Sequence, residues 1–569
     1  MALHNPGVEF TVVDKWESRI RRWKSGHLPI HEPGLREVVR IVRDGAQELA
    51  QDQEGTRSQS ANSSESTIAG ISPERKPNLF FSTDCSTVIA ESDLIMLAVN
   101  TPTKASGLGA GHATDLSAFE GSVREIAECA KPNAILVEKS TVPCGTAQLI
   151  QRLLAAARPA VPFEILSNPE FLSEGTAIKN LQSPDRVLIG SADSISGHAA
   201  AAALADLYAS WVPRDKILTI NVWSSELAKL VANAMLAQRI SSINSIAALC
   251  ETTGADVQEL ARAVGTDARI GPKFLQAGIG FGGSCFRKDI SSLVYIARSL
   301  GLPEVGDYWQ QVLTMNNFQR SRFARKVIAR LNNTLVGKKV VLLGFAYKNN
   351  TGDTRESPAV DVIQILLDEL PTELAIYDPC CSAANITREL AHLPRHNTVK
   401  IYADPYAACA GSSAVLILTE WDMFRNDHAS LPATSPIPSP TPAESKSEPE
   451  SRTPKALLSR TPLPPPPSKS PITAFNRTFL PSPEPDCADD CPDCLERRTA
   501  TLASPIPNSE TRLDWVRIAH RLVTPRYVLD GKGVLDLAGL GKIGVLAEGL
   551  GRGSGGGIGA GMGMGIGRF

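Results

Sequence analysis

Residues 134–166 read AILVEKSTVPCGTAQLIQRLLAAARPAVPFEIL, which sets an apolar strand on either side of one helical stretch. The alternation begins earlier, with a strand predicted at Leu94–Val99 and a helix at 118–130. Strands that alternate with helices indicate a parallel, doubly wound sheet. The pattern turns helical from about 223 to 330 and then returns to strands from Lys338–Phe345 onward. The sequence therefore predicts an α/β protein with two such sheets separated by a helical connector.

The chain has 569 residues, which at about 150 residues per domain allows three or four domains. Lys and Arg number 58 against 60 Asp and Glu, so the net charge of −2 provides no field to attract nucleic acid or an anionic membrane. No run of about 18 apolar residues is present, so we expect no membrane span. Eleven cysteines in so long a chain do not form a disulfide framework, and this usage favours the reducing cytoplasm.

Three segments differ in composition from the rest. Residues 45–78 are polar and are interpreted as a solvated loop insertion. Residues 430–510 contain a tract with sixteen of the forty prolines, and we expect them to be disordered. Residues 537–569 form a glycine-rich tail. The remaining boundaries predict domains at 1–222, 223–330, and 331–429 with 511–536.

Three cysteines in the proline-rich segment, Cys487, Cys491 and Cys494, have C-x3-C-x2-C spacing. A zinc site needs a fourth ligand at suitable spacing, and none is evident nearby. We therefore predict no metal site.

The first α/β block suggests a dinucleotide site. Asp14 ends the strand at 9–14, where an acidic residue can bind the adenine ribose, although aspartates are common at strand ends. Only thirteen residues precede Asp14, so we expect the first strand and its G-x-G-x-x-G turn to be missing from the chain as given. Small hydroxyl residues follow the strands that end near Val99 and Glu138, at the sheet edge where ligands bind.

Residues 278–289, Gly-Ile-Gly-Phe-Gly-Gly-Ser-Cys-Phe-Arg-Lys-Asp, place Cys285 after a glycine-rich turn and beside cationic residues. Glycines allow the backbone to turn sharply and to approach a ligand. A helix N-terminus or nearby cations would lower the pKa of the thiol and favour a nucleophile. The alternative is a buried structural cysteine.

Two further motifs carry ionisable groups. Lys229 and Asn233 lie four residues apart on one face of an apolar helix, where a lysine is costly unless it is paired, used, or able to reach solvent. Residues 168–175, Asn-Pro-Glu-Phe-Leu-Ser-Glu-Gly, present Glu170 and Glu174 in a turn that, taken alone, is also compatible with a helix capping box.

Together with Thr351-Gly-Asp-Thr-Arg-Glu-Ser357, these motifs closely resemble the UDP-glucose/GDP-mannose dehydrogenase family, and within it the UDP-glucose dehydrogenases of animals and fungi. Further matching runs are 28–34, 238–244 and 420–424. The resemblance covers about 9–44, 79–426 and, more weakly, 511–535. It implies two Rossmann-like doubly wound parallel sheets joined by a central helical dimerisation region, with disordered insertions. It also implies a homodimer or homohexamer, with NAD on the first domain and the UDP part of the substrate on the second.

Site residues follow from the resemblance position by position. The implied catalytic residues are Cys285, Lys229, Glu170, Asp289, Asn233 and Thr141. The implied NAD contacts are Asp14, Arg19, Val99, Thr101, Ser140, Thr141, Glu174, Lys288 and Arg355. The implied substrate contacts are Glu170, Phe171, Leu172, Glu174, Lys229, Asn233, Arg269, Phe281, Gly282, Tyr347, Lys348 and Lys532. Lys532 stands where the family has an arginine, so it keeps a charge without a bidentate contact.

The activity that the resemblance implies is the four-electron oxidation of UDP-glucose to UDP-glucuronate with two NAD. Cys285 would hold the intermediate as a thiohemiacetal and then as a thioester, Lys229 would stabilise the oxyanion, Asp289 would be the water-linked partner of Lys229, and Glu170 would act as acid and base. Two alternatives stay open: a catalytically silent subunit or fragment, and a dehydrogenase of GDP-mannose or UDP-N-acetylmannosamine. Because the glycine loop is missing, we expect an N-terminally truncated chain that binds NAD weakly.

Overall fold

The structure is a computed structural model and describes residues 1–30, 32–48, 74–426, 479–482 and 512–552. Its strands are β1 (Phe10–Val13), β2 (Ala46–Glu48), β3 (Glu74–Arg75), β4 (Leu79–Ser82), β5 (Leu94–Leu97), β6 (Ile135–Glu138), β7 (Glu164–Ser167), β8 (Val187–Ser191), β9 (Ile217–Asn221), β10 (Lys339–Leu343), β11 (Glu373–Tyr377), β12 (Val399–Ile401), β13 (Ala414–Ile417), β14 (Phe479–Pro481), β15 (Tyr527–Asp530) and β16 (Leu546–Gly549).

Its α-helices are α1 (Glu17–Trp23), α2 (Leu35–Asp44), α3 (Cys85–Glu91), α4 (Ser117–Cys129), α5 (Thr146–Ala157), α6 (Ala177–Gln182), α7 (Ile195–Ala209), α8 (Val222–Thr253), α9 (Val257–Gly265), α10 (Phe286–Ser299), α11 (Pro303–Arg330), α12 (Pro358–Asp368), α13 (Ala383–Leu390), α14 (Pro405–Cys409), α15 (Trp515–Arg521) and α16 (Leu537–Lys542). Within the residues described, no helix is both long enough and apolar enough to cross a bilayer.

The sheet of the C-terminal domain has six parallel strands in the order β12-β11-β10-β13-β15-β16. The chain runs outward from β10 to β12 and then returns to β13 on the other side of β10, so the strand order reverses between these two strands. β10 and β13 are apolar and almost wholly buried, as expected for parallel strands covered by helices on both faces. The predicted doubly wound parallel sheet is confirmed.

The end of this sheet differs from the prediction. Residues 537–552 were assigned to a glycine-rich tail, yet α16 and β16 lie within them. Leu540, Val545 and Leu550 are buried in the two apolar cores that cover the sheet of this C-terminal domain. This burial outweighs the flexibility of the glycines between them. The tail assignment is therefore wrong for these residues, and 553–569 lie outside the described part of the chain.

The N-terminal domain contains a sheet in two parts. β5, β6, β7, β8 and β9 form one part in that order, and β1 pairs in parallel with β4 in the other. β8 and β9 run antiparallel to β7, so this sheet is not wholly parallel as predicted. In the described ranges no strand links β1 to β5. The first residues of the chain contact both parts, since Met1 packs on the core around Ile135 and Leu3 packs on Ile41 of α2.

A central helical region joins the two domains, as the sequence predicts. α8 begins at an Asn221 side chain that accepts the Trp223 N–H, and its C-cap is Gly254 at φ +85°. α8, α10 and α11 pack together around a shared apolar core that includes Ala234 and Ile290. The buried side of α8 carries the polar side chains described below.

A small antiparallel sheet, in the order β14-β2-β3, corrects two predictions. β2 and β3 lie in the segment interpreted as a solvated loop, and β14 lies in the segment expected to be disordered. Backbone pairing needs no apolar periodicity, and here it is reinforced by Arg40, which donates to the Ser482 carbonyl at 2.6 Å. Residues 49–73 and 483–511 lie outside the described ranges, as do the proline run and Cys487, Cys491 and Cys494.

Candidate active site

Cys285 is the N-cap of α10 and follows a loop that contacts the second domain closely. Gly280 and Gly283 have φ of +105° and +84°, a region that disfavours side chains. A Cβ on Gly282 would lie 2.5 Å from the Glu356 carbonyl oxygen, and one on Gly283 would lie 2.8 Å from the Tyr347 ring. Glycine is therefore required for the cysteine loop to fit against the second domain.

The predicted low pKa of Cys285 is wrong for the protein without ligands. Desolvation raises the pKa of the thiol, although its side chain is exposed at the edge of the site. A hydrogen bond with Ser284 and the charges of Lys229 and Lys288 act in the opposite direction, while Asp289 raises the pKa further. Desolvation is the largest of these effects, so the helix N-terminus and the two lysines do not lower the pKa of the thiol below its usual value.

Lys229 is buried on α8 with 3% of its surface exposed, so it does not extend to solvent. Its Nζ donates to Glu170 Oε1 at 2.9 Å and to the Glu170 carbonyl oxygen, and it lies 5.4 Å from the Phe171 ring centroid. The Leu172 N–H donates to the other Glu170 oxygen. The turn predicted to carry Glu170 thus supplies the partner that a buried lysine requires.

Asn233 and Asp289 form a second buried pair. Asn233 Nδ2 donates to Asp289 Oδ2 at 2.6 Å, and Lys288 Nζ lies 3.8 Å from Asp289 Oδ1. Asp289 is 1% exposed, and burial raises its pKa, while Lys288, Asn233 and Lys229 oppose that effect. The charge of Lys229 acts to lower the pKa of both Cys285 and Asp289, so these three residues belong to one site.

The edge of the first sheet meets this site through Lys288. Lys288 Nζ donates to the carbonyl and hydroxyl oxygens of Thr101, at 3.2 and 3.3 Å. Thr101 in turn donates to the Thr141 carbonyl at 2.8 Å, and Ser140 donates to the Val99 carbonyl at 2.6 Å. The residues predicted after β5 and β6 therefore lie together, beside α10.

The other residues assigned to NAD lie at two places. Asp14 directly follows β1, where its carboxylate accepts the Trp16 N–H at 2.9 Å and pairs with Arg19 at 2.6 Å. Glu174 and Arg355 meet instead at the contact between the two domains, 3.3 Å apart, and Asp353 forms a hydrogen bond with Arg355 that raises the pKa of the guanidinium.

Substrate residues predicted on the second domain face the turn of the first. Tyr347 donates to Glu174 Oε2 at 2.9 Å, and Lys348 Nζ donates to Ser173 Oγ at 2.8 Å. Lys532 pairs with Glu420 at 2.9 Å. Desolvation raises the pKa of Glu174 and lowers that of Lys348, so both charged groups are partly withdrawn from water.

Two other predicted substrate residues have different positions. Phe281 is buried in the cysteine loop, and its N–H donates to Asn316 Oδ1 at 2.8 Å. Arg269 has a side chain that is 89% exposed and pairs with Asp267 at 2.6 Å. No contact within the described residues joins Arg269 to Cys285, so its role rests on the resemblance alone.

Glu32 is a residue whose role the sequence analysis missed. Its carboxylate accepts the N–H groups of Gly175 and Ala177 at 2.8 and 2.5 Å and so holds the turn that carries Glu174. Glu32 lies in the 28–34 run that matched the family, but a run of matching residues does not reveal which distant amides a carboxylate accepts.

Comparisons with known proteins identify the family. Three domain models of the UDP-glucose/GDP-mannose dehydrogenase family match the chain: the NAD binding domain at 65–212, the central domain at 223–318 and the UDP binding domain at 341–438. UDP-glucose 6-dehydrogenase of Drosophila melanogaster is 50% identical over 432 residues, covering 74% of this chain and 84% of the relative. That of Gallus gallus is 50% identical over 427 residues, covering 74% and 80%.

Solved structures show the same likeness. A UDP-glucose dehydrogenase from Pyrobaculum islandicum aligns with a TM-score of 0.60 and 30% identity, covering 74% of this chain and 87% of that one. A UDP-D-ManNAc dehydrogenase from Pyrococcus horikoshii aligns with a TM-score of 0.62 over 97% of this chain and 96% of that one. At 19% identity, the second likeness concerns the fold alone.

Proposed function

The chain belongs to the UDP-glucose/GDP-mannose dehydrogenase family, and we propose that it oxidises UDP-glucose to UDP-glucuronate with NAD, using Cys285 as the nucleophile. The observation that carries this proposal is the position of Cys285. The thiol lies at the start of α10, three residues before Lys288, which donates to Thr101, and directly after the glycine loop that fits against Tyr347. We infer that it lies between the residues assigned to NAD and those assigned to the substrate.

The described residues fit NAD at its two ends. Asp14 is a carboxylate at the end of a parallel strand, as binding of a ribose diol requires. Thr101, Ser140 and Thr141 line the carboxyl edge of β5 and β6 with small polar groups. Within residues 1–13 no glycine-rich turn precedes Asp14, so the described residues that would hold NAD are those at its ribose and nicotinamide ends. Each bound NAD would supply the acceptor for one hydride, so the two oxidations would consume two NAD in turn.

Within the chain, each step has a residue suited to it. As the Cys285 sulfur bonds to the carbonyl carbon of the aldehyde, the C=O π bond opens, Lys229 stabilises the negative charge that develops on the oxygen, and the thiol proton passes to that oxygen. In the hydrolysis, Glu170, which is paired with Lys229, takes a proton from the attacking water, the C–S bond breaks, and that proton returns to the sulfur to restore the thiol. Asn233 and Asp289 are held together by their hydrogen bond, which places an amide and a carboxyl group in the same site. Covalent capture retains the aldehyde between the two oxidations.

We also propose that the chain self-associates through its central helices and acts in the cytoplasm. Met235 and Leu249 of α8 and Phe318 of α11 are large apolar side chains that lie exposed. Such a surface favours burial against a second copy, which is compatible with a homodimer or a homohexamer. Light scattering over a dilution series tests the association.

The proposed cytoplasmic location fits the adjacent Cys380 and Cys381, which are both free thiols, as a reducing compartment favours.

A stoichiometric assay tests the activity. With limiting UDP-glucose and excess NAD, we expect two NADH per sugar and no free aldehyde. Cys285→Ser should abolish the second NADH and leave UDP-glucose binding by calorimetry intact. Cys380→Ser, which changes another exposed free cysteine, is the matched control. One NADH per sugar from the unmodified chain would contradict the proposal, and binding of UDP-glucose without any NADH would favour a silent subunit.

A further inference from the structure

Two buried glutamates have no role in the proposed reaction. Glu138 ends β6 and is 1% exposed, and Glu226 lies near the start of α8 and is 2% exposed. Their carboxyl groups interact electrostatically, and each influences the pKa of the other. Two ionised carboxylates so placed would repel strongly and would also lose their hydration. The pair therefore needs a physical explanation.

Glu226 binds the start of α5. Its Oε2 accepts the Gly145 N–H at 2.6 Å, and its Oε1 accepts the Ala147 N–H at 2.8 Å. These amides belong to the N-terminal end of α5, where backbone donors have no partner inside the helix and the helix dipole favours negative charge. Both oxygens of Glu226 thus act as acceptors, which fits an ionised carboxylate.

Glu138 has the opposite environment. Neither of its carboxyl oxygens accepts a hydrogen bond from the described residues. An ionised Glu138 would therefore be buried with no hydrogen bond to stabilise its negative charge. A proton on Glu138 removes this difficulty, because the carboxylic acid can then donate to Glu226. Burial, repulsion from Glu226 and the hydrogen bond to it raise the pKa of Glu138 well above its usual value.

The other ionisable groups nearby leave this arrangement in place. The Cys144 thiol approaches the Trp223 carbonyl at 3.6 Å, and burial and both glutamates raise its pKa. Lys139, the residue after Glu138, donates to Asn168 and Tyr208, and Lys229 of α8 donates to Glu170. Each of these cations thus has its own acceptor away from the pair.

The pair joins two parts of the candidate site. Ser140 and Thr141 lie in the turn between Glu138 and the α5 amides that Glu226 of α8 accepts. On the same helix, Lys229 lies three residues after Glu226. Hydrogen bonds connect this turn to Lys288, because Thr101 donates to the Thr141 carbonyl and accepts from Lys288 Nζ. Lys288 lies three residues after Cys285.

We propose that Glu138 and Glu226 share one proton and act as a positioning pair that fixes the Ser140–Thr141 turn relative to Lys229. This proposal rests on the proposed function, because it assumes that the turn contacts NAD and that Lys229 acts on the sugar. Neither glutamate touches the reacting atoms. Both serve to hold the turn in place.

Infrared spectroscopy tests the shared proton without substrate. At neutral pH the difference between the unmodified chain and Glu138→Gln should contain the carbonyl band of a protonated carboxylic acid. Glu128→Gln, which changes an exposed glutamate on α4, should show only the loss of an ionised carboxylate. Absence of the acid band from the first difference would overturn the proposal, whatever substrate the enzyme uses.

Kinetics tests the positioning role. Glu138→Gln keeps a donor toward Glu226 and should retain KM for NAD within about twofold. Glu226→Gln cannot accept both α5 amides, and loss of one charge-assisted hydrogen bond should raise KM for NAD about tenfold. UDP-glucose affinity should change less than about twofold, because its assigned contacts lie elsewhere. An equal loss for both ligands, or no loss for either, would refute the positioning role.

Discussion

Gly282 provides a test of how closely the cysteine loop must fit the second domain. In Gly282→Ala, the new Cβ would lie 2.5 Å from the Glu356 carbonyl oxygen, 2.7 Å from Pro358 Cδ and 2.9 Å from Tyr347 Cβ. Ordinary contact begins near 3.4 Å, so the loop and the second domain must separate by about 0.9 Å. Two of these obstacles are backbone or proline ring atoms, which cannot rotate away.

A displacement of about 1 Å at a reacting group reduces the rate about a hundredfold, and overpacking of this kind destabilises a fold by about 1–3 kcal/mol. We therefore expect kcat/KM for UDP-glucose to fall about a hundredfold while the protein stays folded. Initial rates of NADH formation, calorimetric binding of UDP-glucose and thermal unfolding on one preparation measure these effects. Gly121→Ala on the exposed face of α4, where a Cβ meets nothing within 4 Å, is the control. A folded Gly282→Ala enzyme within twofold of the unmodified rate would refute the reasoning.

Three further predictions concern other parts of the molecule. Lys229→Met should lower kcat by about 10²–10³ by removing the charge that stabilises the oxyanion, while calorimetric affinity for UDP-glucose changes far less. Glu373→Gln should destabilise the protein at neutral pH. Although burial opposes the shift, hydrogen bonds from Lys400, Tyr402 and Lys339 lower the pKa of Glu373 to about 2. This stabilisation is present above the unfolded pKa and is lost as pH falls toward about 2, so the difference in chemical unfolding should vanish there. Deletion of 430–476 should preserve the melting temperature better than deletion of 430–482, because only the longer deletion removes β14 and the Arg40–Ser482 contact.

Local patterns were sufficient to predict the second sheet and to single out Lys229 as a residue that needs an explanation. β10 and β13 are continuous apolar runs, which identify buried parallel strands whatever the rest of the chain does. Lys229 could be singled out because a lysine in an apolar stripe needs a partner, and Glu170 supplies it.

Features that depend on distant contacts could not be predicted in this way. β14 has three residues and pairs with β2, which lies more than four hundred residues earlier, and neither has a distinctive pattern. The thiol pKa of Cys285 is dominated by desolvation, which depends on the packing of both domains rather than on the neighbours of the cysteine in the chain. Glu226 lies three residues before Lys229 in the chain, but its acceptor role at α5 becomes visible only when the helices are placed together.

The order of strands in the second sheet has a consequence for synthesis. β13 and β15 are neighbours in the sheet, yet about a hundred residues separate them along the chain. Closing a connection of this length costs roughly 2 kcal/mol more entropy than closing one of about ten residues. β10 to β13 can therefore pair while the ribosome is still translating the connection, and β13 presents an unpaired apolar edge until β15 emerges. During that interval the nascent chain is most exposed to edge-to-edge aggregation and most dependent on chaperones.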